Sequence, residues 1–177
     1  MRVISGQFKG LRLFGPKDRQ FRPTQDKVKE AIFDILQGIS DGAQVLDLFC
    51  GTGGLGIETL SRGAEHVVFV DRSVAYLKKN LSLIKKKNYT IRCSPVDRYI
   101  KACRSKFDLI FMDPPWNESD LYERALKAIC TFDILAPDGI LVVEHRKKYH
   151  LPVPSDLTIR SVHNYGESQL TMLHHPQ

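Results

Sequence analysis

The sequence is poor in the features that tie a protein to a membrane, a metal or a secretory environment. It has no run of about twenty apolar residues, so a bilayer-crossing helix is not expected, and its first residues lack a signal-peptide pattern. Only four cysteines occur among 177 residues. Cys50, Cys93, Cys103 and Cys130 are scattered without the paired spacing of a zinc site. All fall in or beside expected core segments, which makes them reduced packing residues rather than disulfide partners. The six histidines form no H-E-x-x-H arrangement. Internal repeats and low-complexity tracts are absent. These absences predict a cytoplasmic chain without metal, folded as a single domain over residues 1–177, and 42% hydrophobic residues are ample for its core.

What is present begins with Asp113-Pro114-Pro115-Trp116, directly after the apolar run Leu109-Ile110-Phe111-Met112. An acidic side chain, a rigid carbonyl and an aromatic plane thus gather at the C-terminal end of an expected buried strand. An exocyclic amine on a nucleobase is a poor nucleophile because its lone pair is delocalised into the ring. Two acceptors for its hydrogens, the Asp113 carboxylate and a proline carbonyl, favour a pyramidal nitrogen and offset the charge that develops as it attacks. The prolines, Pro115 included, restrict the backbone, so the acceptors need little reordering, and Trp116 is placed to stack on a base. The competing reading is a strand end with a Pro-Pro turn and a surface tryptophan.

A second site lies upstream. Gln44 to Cys50 reads as a strand and Gly51-Thr52-Gly53-Gly54-Leu55-Gly56 as a glycine turn opening a helix, followed by a strand His66 to Val70 that ends at Asp71. Gly51, Gly53 and Gly56 fit G-x-G-x-x-G, and Asp71 stands where an acid takes ribose hydroxyls, so the glycines alone leave the cofactor open. Asp47 narrows the choice. A carboxylate at the end of the first strand repels the pyrophosphate of NAD and attracts the methionyl ammonium of S-adenosylmethionine. Together with Asp113-Pro-Pro-Trp, it favours amino-group methylation over hydride transfer.

Charge is uneven. Arg2, Lys9, Arg12, Lys17, Arg19, Arg22, Lys27 and Lys29 stand against Asp18 and Asp26, a net +6 that equals the formal charge of the whole chain. Arg2 to Phe14 alternates around Ser5-Gly6 and Lys9-Gly10, which predicts a basic β-hairpin and loop over residues 1–21. Such an arm suits a phosphate backbone; otherwise it is a solvated, charged edge that blocks sheet aggregation. Lys85 to Lys87 and Arg146 to Lys148 read first as solvated or dipole-compensating faces, with RNA contact as the alternative.

Elsewhere the pattern alternates. Thr24 is placed to cap a helix with Val28, Ala31, Ile32, Ile35 and Leu36 on one face. Helices are expected through Val74 to Ile84, Val96 to Cys103 and Leu121 to Ile129, with strands near Tyr89–Ile91, Phe107–Met112 and Ile140–Glu144. Leu157–Val162 and Gln169–His174 close the chain as a hairpin. The order predicts an α/β fold with a doubly wound, mostly parallel sheet, both motifs sitting at strand C-termini.

Arg22-Pro23-Thr24 leading into Val28 to Phe33, Leu46 to Gly53, Ser61-Arg62-Gly63-Ala64, Asp113 to Trp116 and Tyr165 to Ser168 together resemble the bacterial RsmD-type methyltransferases over nearly the whole chain. The resemblance implies a Rossmann-like class I fold of seven strands with an N-terminal β-hairpin. It also implies S-adenosylmethionine as cofactor, and as product the N2-methylated form of a guanine in 16S ribosomal RNA, within an assembled or assembling small subunit. A monomer is expected. Asp47, Gly51 and Gly53 would surround the methionyl part, Asp71 the ribose, and Asp113, Pro114 and Trp116 the guanine; Arg2, Lys9, Arg12 and Arg22 would meet RNA. Trp116 stands where Phe or Tyr is usual, Cys50 where Ala is common, and Pro95 where Asp or Asn usually approaches the adenine. The Val96 backbone and Asp97 are then the candidates for that contact. Other readings are a methyltransferase of DNA adenine or protein glutamine, an NAD-binding oxidoreductase, or a non-catalytic RNA-binding module.

Overall fold

The computed structural model describes residues 1–16 and 23–176. Its elements are α1 (Pro23–Ile35), β1 (Gln44–Leu48), α2 (Gly54–Ser61), β2 (His66–Asp71), α3 (Ala75–Leu81), β3 (Tyr89–Cys93), α4 (Val96–Ala102), β4 (Phe107–Met112), α5 (Asp120–Thr131), β5 (Leu135–Arg146), β6 (Thr158–Tyr165) and β7 (Ser168–His174). The strands form one seven-stranded sheet in the order β3-β2-β1-β4-β5-β7-β6. From β3 to β5 all neighbours are parallel, while β7 runs antiparallel to both β5 and β6. The doubly wound sheet and its C-terminal hairpin are therefore as expected.

Strand alternation divides the core in two. Val45, Val67, Phe69, Leu109, Phe111 and Val142 pack against Ile32 and Phe33 of α1, Ile57 and Leu60 of α2, and Leu77 and Leu81 of α3. On the opposite face Leu46, Leu48, Val70, Ile110, Met112 and Leu141 meet Val96 and Ile100 of α4 and Tyr122, Leu126 and Ile129 of α5. Strands covered by helices on both faces explain why the central segments read as nearly continuous apolar runs.

Several local expectations change. The basic arm is a short hairpin with little ladder: one antiparallel bridge joins Arg2 to Arg12. Across the arm Val3 N–H donates to the Leu11 carbonyl and Gly10 N–H to the Val3 carbonyl, both at 2.9 Å, and Leu13 N–H donates to the Met1 carbonyl at 3.0 Å, while its turn bonds to α2. Ile4 and Ser5 N–H groups donate to the Glu58 carboxylate at 2.8 and 2.9 Å, Gln7 N–H donates to the Ser61 carbonyl at 2.8 Å, and Phe8 N–H donates to Ser61 Oγ at 2.8 Å. Val3 and Leu13 enter the core, so the arm is packed down along its length. The first strand stops at Leu48 rather than Cys50, because Phe49 takes φ 58°. The helix after Asp71 is shorter than expected at both ends. Strand β5 starts at Leu135, ahead of the expected Ile140, with an irregularity between its pairings at Phe107 and Leu109. Cys50 and Cys103 are buried as expected, but Cys93 is exposed; all four cysteines are free. The capping role expected of the Thr24 side chain lies outside what is described.

Candidate active site

The chain order reverses between β1 and β4. From β1 it winds outward to β2 and β3, and from β4 outward the other way to β5. Loops leaving two such strands diverge to opposite faces and open a crevice beyond their C-terminal ends. Leu48 pairs with Met112, so Phe49 and Asp113 leave the sheet side by side. The glycine turn and Asp113-Pro-Pro-Trp thereby flank one crevice.

The turn needs its glycines for different reasons. Gly51 and Gly53 adopt φ 53° and 80°, where a Cβ is disfavoured. A Cβ on Gly53 would come within 2.5 Å of Leu77 Cδ1, one on Gly54 within 2.2 Å of Met1 Sδ, and one on Gly56 within 2.2 Å of the Phe69 ring. Those three positions are filled by the protein itself. At Gly51 a Cβ would meet nothing nearer than the Phe49 carbonyl at 4.0 Å, which leaves space for a ligand to approach the backbone. Phe49, a non-glycine residue at positive φ, supplies local strain at the same turn, a signal that sequence reading missed. Asp71 anchors the turn: Oδ2 accepts Gly51 N–H at 2.8 Å and Oδ1 accepts Ser73 N–H at 2.9 Å. Each carboxylate oxygen keeps a further lone pair for ligand hydroxyls.

Asp47 lies deeper than its place near a strand end suggested. It is 3% exposed, and its Oδ2 accepts the Gly56 N–H at 2.9 Å. Burial raises its pKa from the ordinary 3.8 to about 7, opposed by the Gly56 hydrogen bond and reinforced by the charge of Asp71. A buried acid beside a second carboxylate ionises more readily when a cation arrives. The arrangement therefore suits a cationic ligand, with Asp47 acting on it from beneath the turn.

At the end of β4, Pro114 is buried while Asp113 and Pro115 are exposed and Trp116 is half-buried. The Tyr122 hydroxyl of α5 donates to the Glu144 carbonyl at 3.1 Å. Burial pushes the Tyr122 pKa up, and the negative charges of Asp113 and Glu144 add to that shift. The Glu144 carboxyl is also pushed up by burial, against the hydrogen bond it accepts from Ser168 Oγ at 2.8 Å. Beside the motif opens a cleft of about 250 Å³ lined by Trp116, Tyr122, Arg146, Lys148 and Tyr149. The Arg146 guanidinium carbon lies 5.1 Å from the Trp116 ring centre. Arg146 and Lys148 thus border the motif instead of forming a remote solvated face. The sequence named this basic run but not its closeness to Trp116, since the approach is made by the ends of two strands.

The remaining expected residues divide. Val96 is buried at the start of α4, whereas the Asp97 carboxylate lies 2.5 Å from Arg124 of α5. Arg2, Lys9 and Arg12 are exposed on the arm. Arg22, with Lys17 and Arg19, lies outside the described residues. Lys29 does not belong to the basic surface: it is 3% exposed, its Nζ is 3.1 Å from the fully buried Glu58, and it also donates to the Arg2 carbonyl. Asn80, fully buried, accepts Phe14 N–H at 2.7 Å and donates to the Phe14 and Thr52 carbonyls at 3.0 and 2.9 Å. It therefore ties the end of the arm to the glycine turn.

Comparison with known proteins gives a consistent set of relatives. The profile of a family described as conserved hypothetical protein 95 matches residues 1–174. The Bacillus subtilis protein YlbH, provisionally described as an rRNA methyltransferase, is 40% identical over 174 residues, covering 94% of each chain. Ribosomal RNA small subunit methyltransferase D of Haemophilus influenzae is 35% identical, covering 90% of this chain and 86% of its own. Among solved structures, the Escherichia coli protein yhhF, provisionally described as a methyltransferase, superposes with a TM-score of 0.86 at 28% identity, covering 99% of this chain and 97% of its own.

Proposed function

The chain belongs to the RsmD-type methyltransferase family, and from that premise we propose that it methylates the exocyclic N2 amine of a specific guanine in small-subunit ribosomal RNA, using S-adenosylmethionine. The observation that carries this reading is the side-by-side exit of the glycine turn and Asp113-Pro-Pro-Trp from β1 and β4 at the reversal of strand order. A cofactor beyond one strand and an amine beyond the next are then brought together by the sheet itself.

The residues fit this cofactor chemically. Gly51 leaves its backbone open, Asp71 presents lone pairs beside it, and Asp47 supplies a buried acid that a cation would ionise. Val96, which follows β3 where that strand pairs with Asp71, is the candidate for the adenine contact, since Asp97 is held by Arg124. When bound, S-adenosylmethionine supplies an electrophilic methyl group on a positively charged sulfur. Asp113 and the Pro114 carbonyl accept hydrogens from the target amine, which localises its lone pair and stabilises positive charge growing on nitrogen. Pro115 restricts this backbone, and Trp116 provides an aromatic wall for the base. The exposed Arg2, Lys9 and Arg12 would hold the RNA backbone, joined by Arg22. The enzyme would act as a cytoplasmic monomer on an assembled or assembling subunit; among the described residues no helix is long and apolar enough to cross a membrane.

The decisive assay supplies unmethylated 16S RNA, naked or in 30S particles, with labelled S-adenosylmethionine, and maps the product by nuclease digestion and mass spectrometry. N2-methylguanine at one position is expected. Label on adenine N6 or on a protein glutamine would replace this reading with another amino methyltransferase.

A further inference from the structure

Beyond the amine site, we propose that the cleft between Trp116, Tyr149, Arg146 and Lys148 binds a phosphodiester of single-stranded RNA beside the target nucleotide. The inference rests on the RNA reading above and adds to it a defined subsite.

The sheet makes the cleft. Met112 pairs with Val143 in parallel register, so the chain segments carrying Asp113 and Glu144 emerge next to one another. Trp116, three residues past Asp113, and Arg146, two past Glu144, then meet above the sheet edge, with the guanidinium over the indole. The walls are held by backbone acceptors. Tyr122 hydroxyl donates to the Glu144 carbonyl, Tyr149 hydroxyl donates to the Ser119 carbonyl at 3.1 Å, and the two rings stand 4.9 Å apart. Lys147 N–H, bonded to the Glu167 carbonyl at 2.8 Å, fixes the strand end against the turn between β6 and β7. Arg146 and Lys148 therefore project from a supported backbone.

The lining is chemically one-sided. It consists of three aromatic rings and two cations, and contains no carboxylate. Aromatic walls with a guanidinium suit sugar and base edges, and the two cations suit a phosphate. At about 250 Å³ the open cleft lies below the roughly 300 Å³ at which pockets for whole small ligands begin, which fits a segment of a polymer passing through. Its position beside Asp113 sets which segment: the phosphodiester flanking the nucleotide whose amine that residue holds. The guanidinium over Trp116 would turn from the indole to the phosphate as RNA enters.

Trp116 is the only tryptophan in the chain, so its emission reports on this cleft alone. The test titrates a single-stranded oligouridylate into the wild type, Arg146→Gln, Lys148→Gln and the double variant, following Trp116 emission and affinity across a salt series. Both residues are exposed, and thermal unfolding checks that the variants remain folded. The wild type should show a saturable emission change. Each substitution should flatten the slope of log affinity against log salt by about 0.7, and the double variant by about twice that. Affinity for S-adenosylhomocysteine by calorimetry should not change. Wild-type RNA affinity and slope in the double variant would overturn the proposal while leaving the RNA reading intact. A wild type that ignores RNA but responds to polyglutamate would likewise overturn the proposal, and make the cleft a docking site for an acidic protein segment.

Discussion

Asp47→Asn tests the buried acid beneath the glycine turn through its pH dependence. Asparagine keeps an oxygen to accept the Gly56 N–H bond and removes the ionisation. Burial lifts the Asp47 pKa from 3.8 to about 7. At about 1.4 kcal/mol per pH unit, ionising it in the folded chain costs roughly 4 kcal/mol more than in the unfolded one. The sign follows from proton binding. An acid with a raised folded pKa makes the native state the better proton binder, so its contribution to stability is full below about pH 4 and is lost as pH rises to about 7. Relative to the wild type, Asp47→Asn should therefore gain about 2.5 kcal/mol more at pH 8 than at pH 5 in urea unfolding. Any fixed cost of burying the amide is the same at both pH values and drops out of that difference. Calorimetry adds an independent check. Wild-type affinity for S-adenosylhomocysteine, which carries the ammonium, should strengthen between pH 6 and 8 as Asp47 ionises, and this component should vanish in Asp47→Asn. An equal stability difference at pH 5 and 8 would refute the raised pKa.

Asp113→Ala should lower methylation turnover by roughly a hundredfold or more while leaving cofactor affinity unchanged; near wild-type turnover would assign the amine to another group. Asp71→Ala should weaken cofactor binding by about 1 to 3 kcal/mol, with activity recovering at saturating cofactor. If calorimetry shows no change, Asp71 serves only to hold Gly51 and Ser73. Lys29→Met leaves the buried Glu58 carboxylate to Arg62 and the Ile4 and Ser5 N–H groups and should cost about 1.5 to 3 kcal/mol in urea unfolding; a loss under about 1 kcal/mol would mean that those partners suffice to hold the charge. Neutralising Arg2, Lys9 and Arg12 together should flatten the salt dependence of RNA binding by about 0.7 to 0.9 for each phosphate they had neutralised, with cofactor affinity unaffected. An intact slope would leave the arm as a solvated edge.

Much of the site was legible because its signals are local. Pro114 and Pro115 restrict the backbone around Asp113 whatever surrounds them, and Gly51 and Gly53 mark positive φ angles that other residues rarely adopt. The strand Phe107–Met112 was bounded correctly because the apolar run Leu109 to Met112, cut off by Asp113 and Pro114, leaves little choice. Strand β5 was not, since Pro137-Asp138-Gly139 carries turn chemistry, and only the pairing of Leu135 with Phe107 draws that segment into the sheet. The arm pairs antiparallel as its alternation suggests, but where it docks was not legible. Glu58 and Ser61, more than fifty residues away on α2, accept the N–H groups of Ile4, Ser5 and Phe8 at the turn, a partnership that no local pattern announces.

By itself, the sequence determined the layer order and placed the glycine turn and Asp113-Pro-Pro-Trp at strand ends, because strand and helix periodicity, glycine turns and proline restraints act within a few residues of chain. Tertiary structure decided which charges are available. Lys29 counts as one more basic residue in the arm until Glu58 takes it into the interior. Asp47 reads as an open strand end until α2 closes over it and raises its pKa. Arg146 and Lys148 read as surface charges until parallel register sets them beside Trp116. Burial and proximity between distant segments set the electrostatic cost of each charge, and no local pattern encodes either.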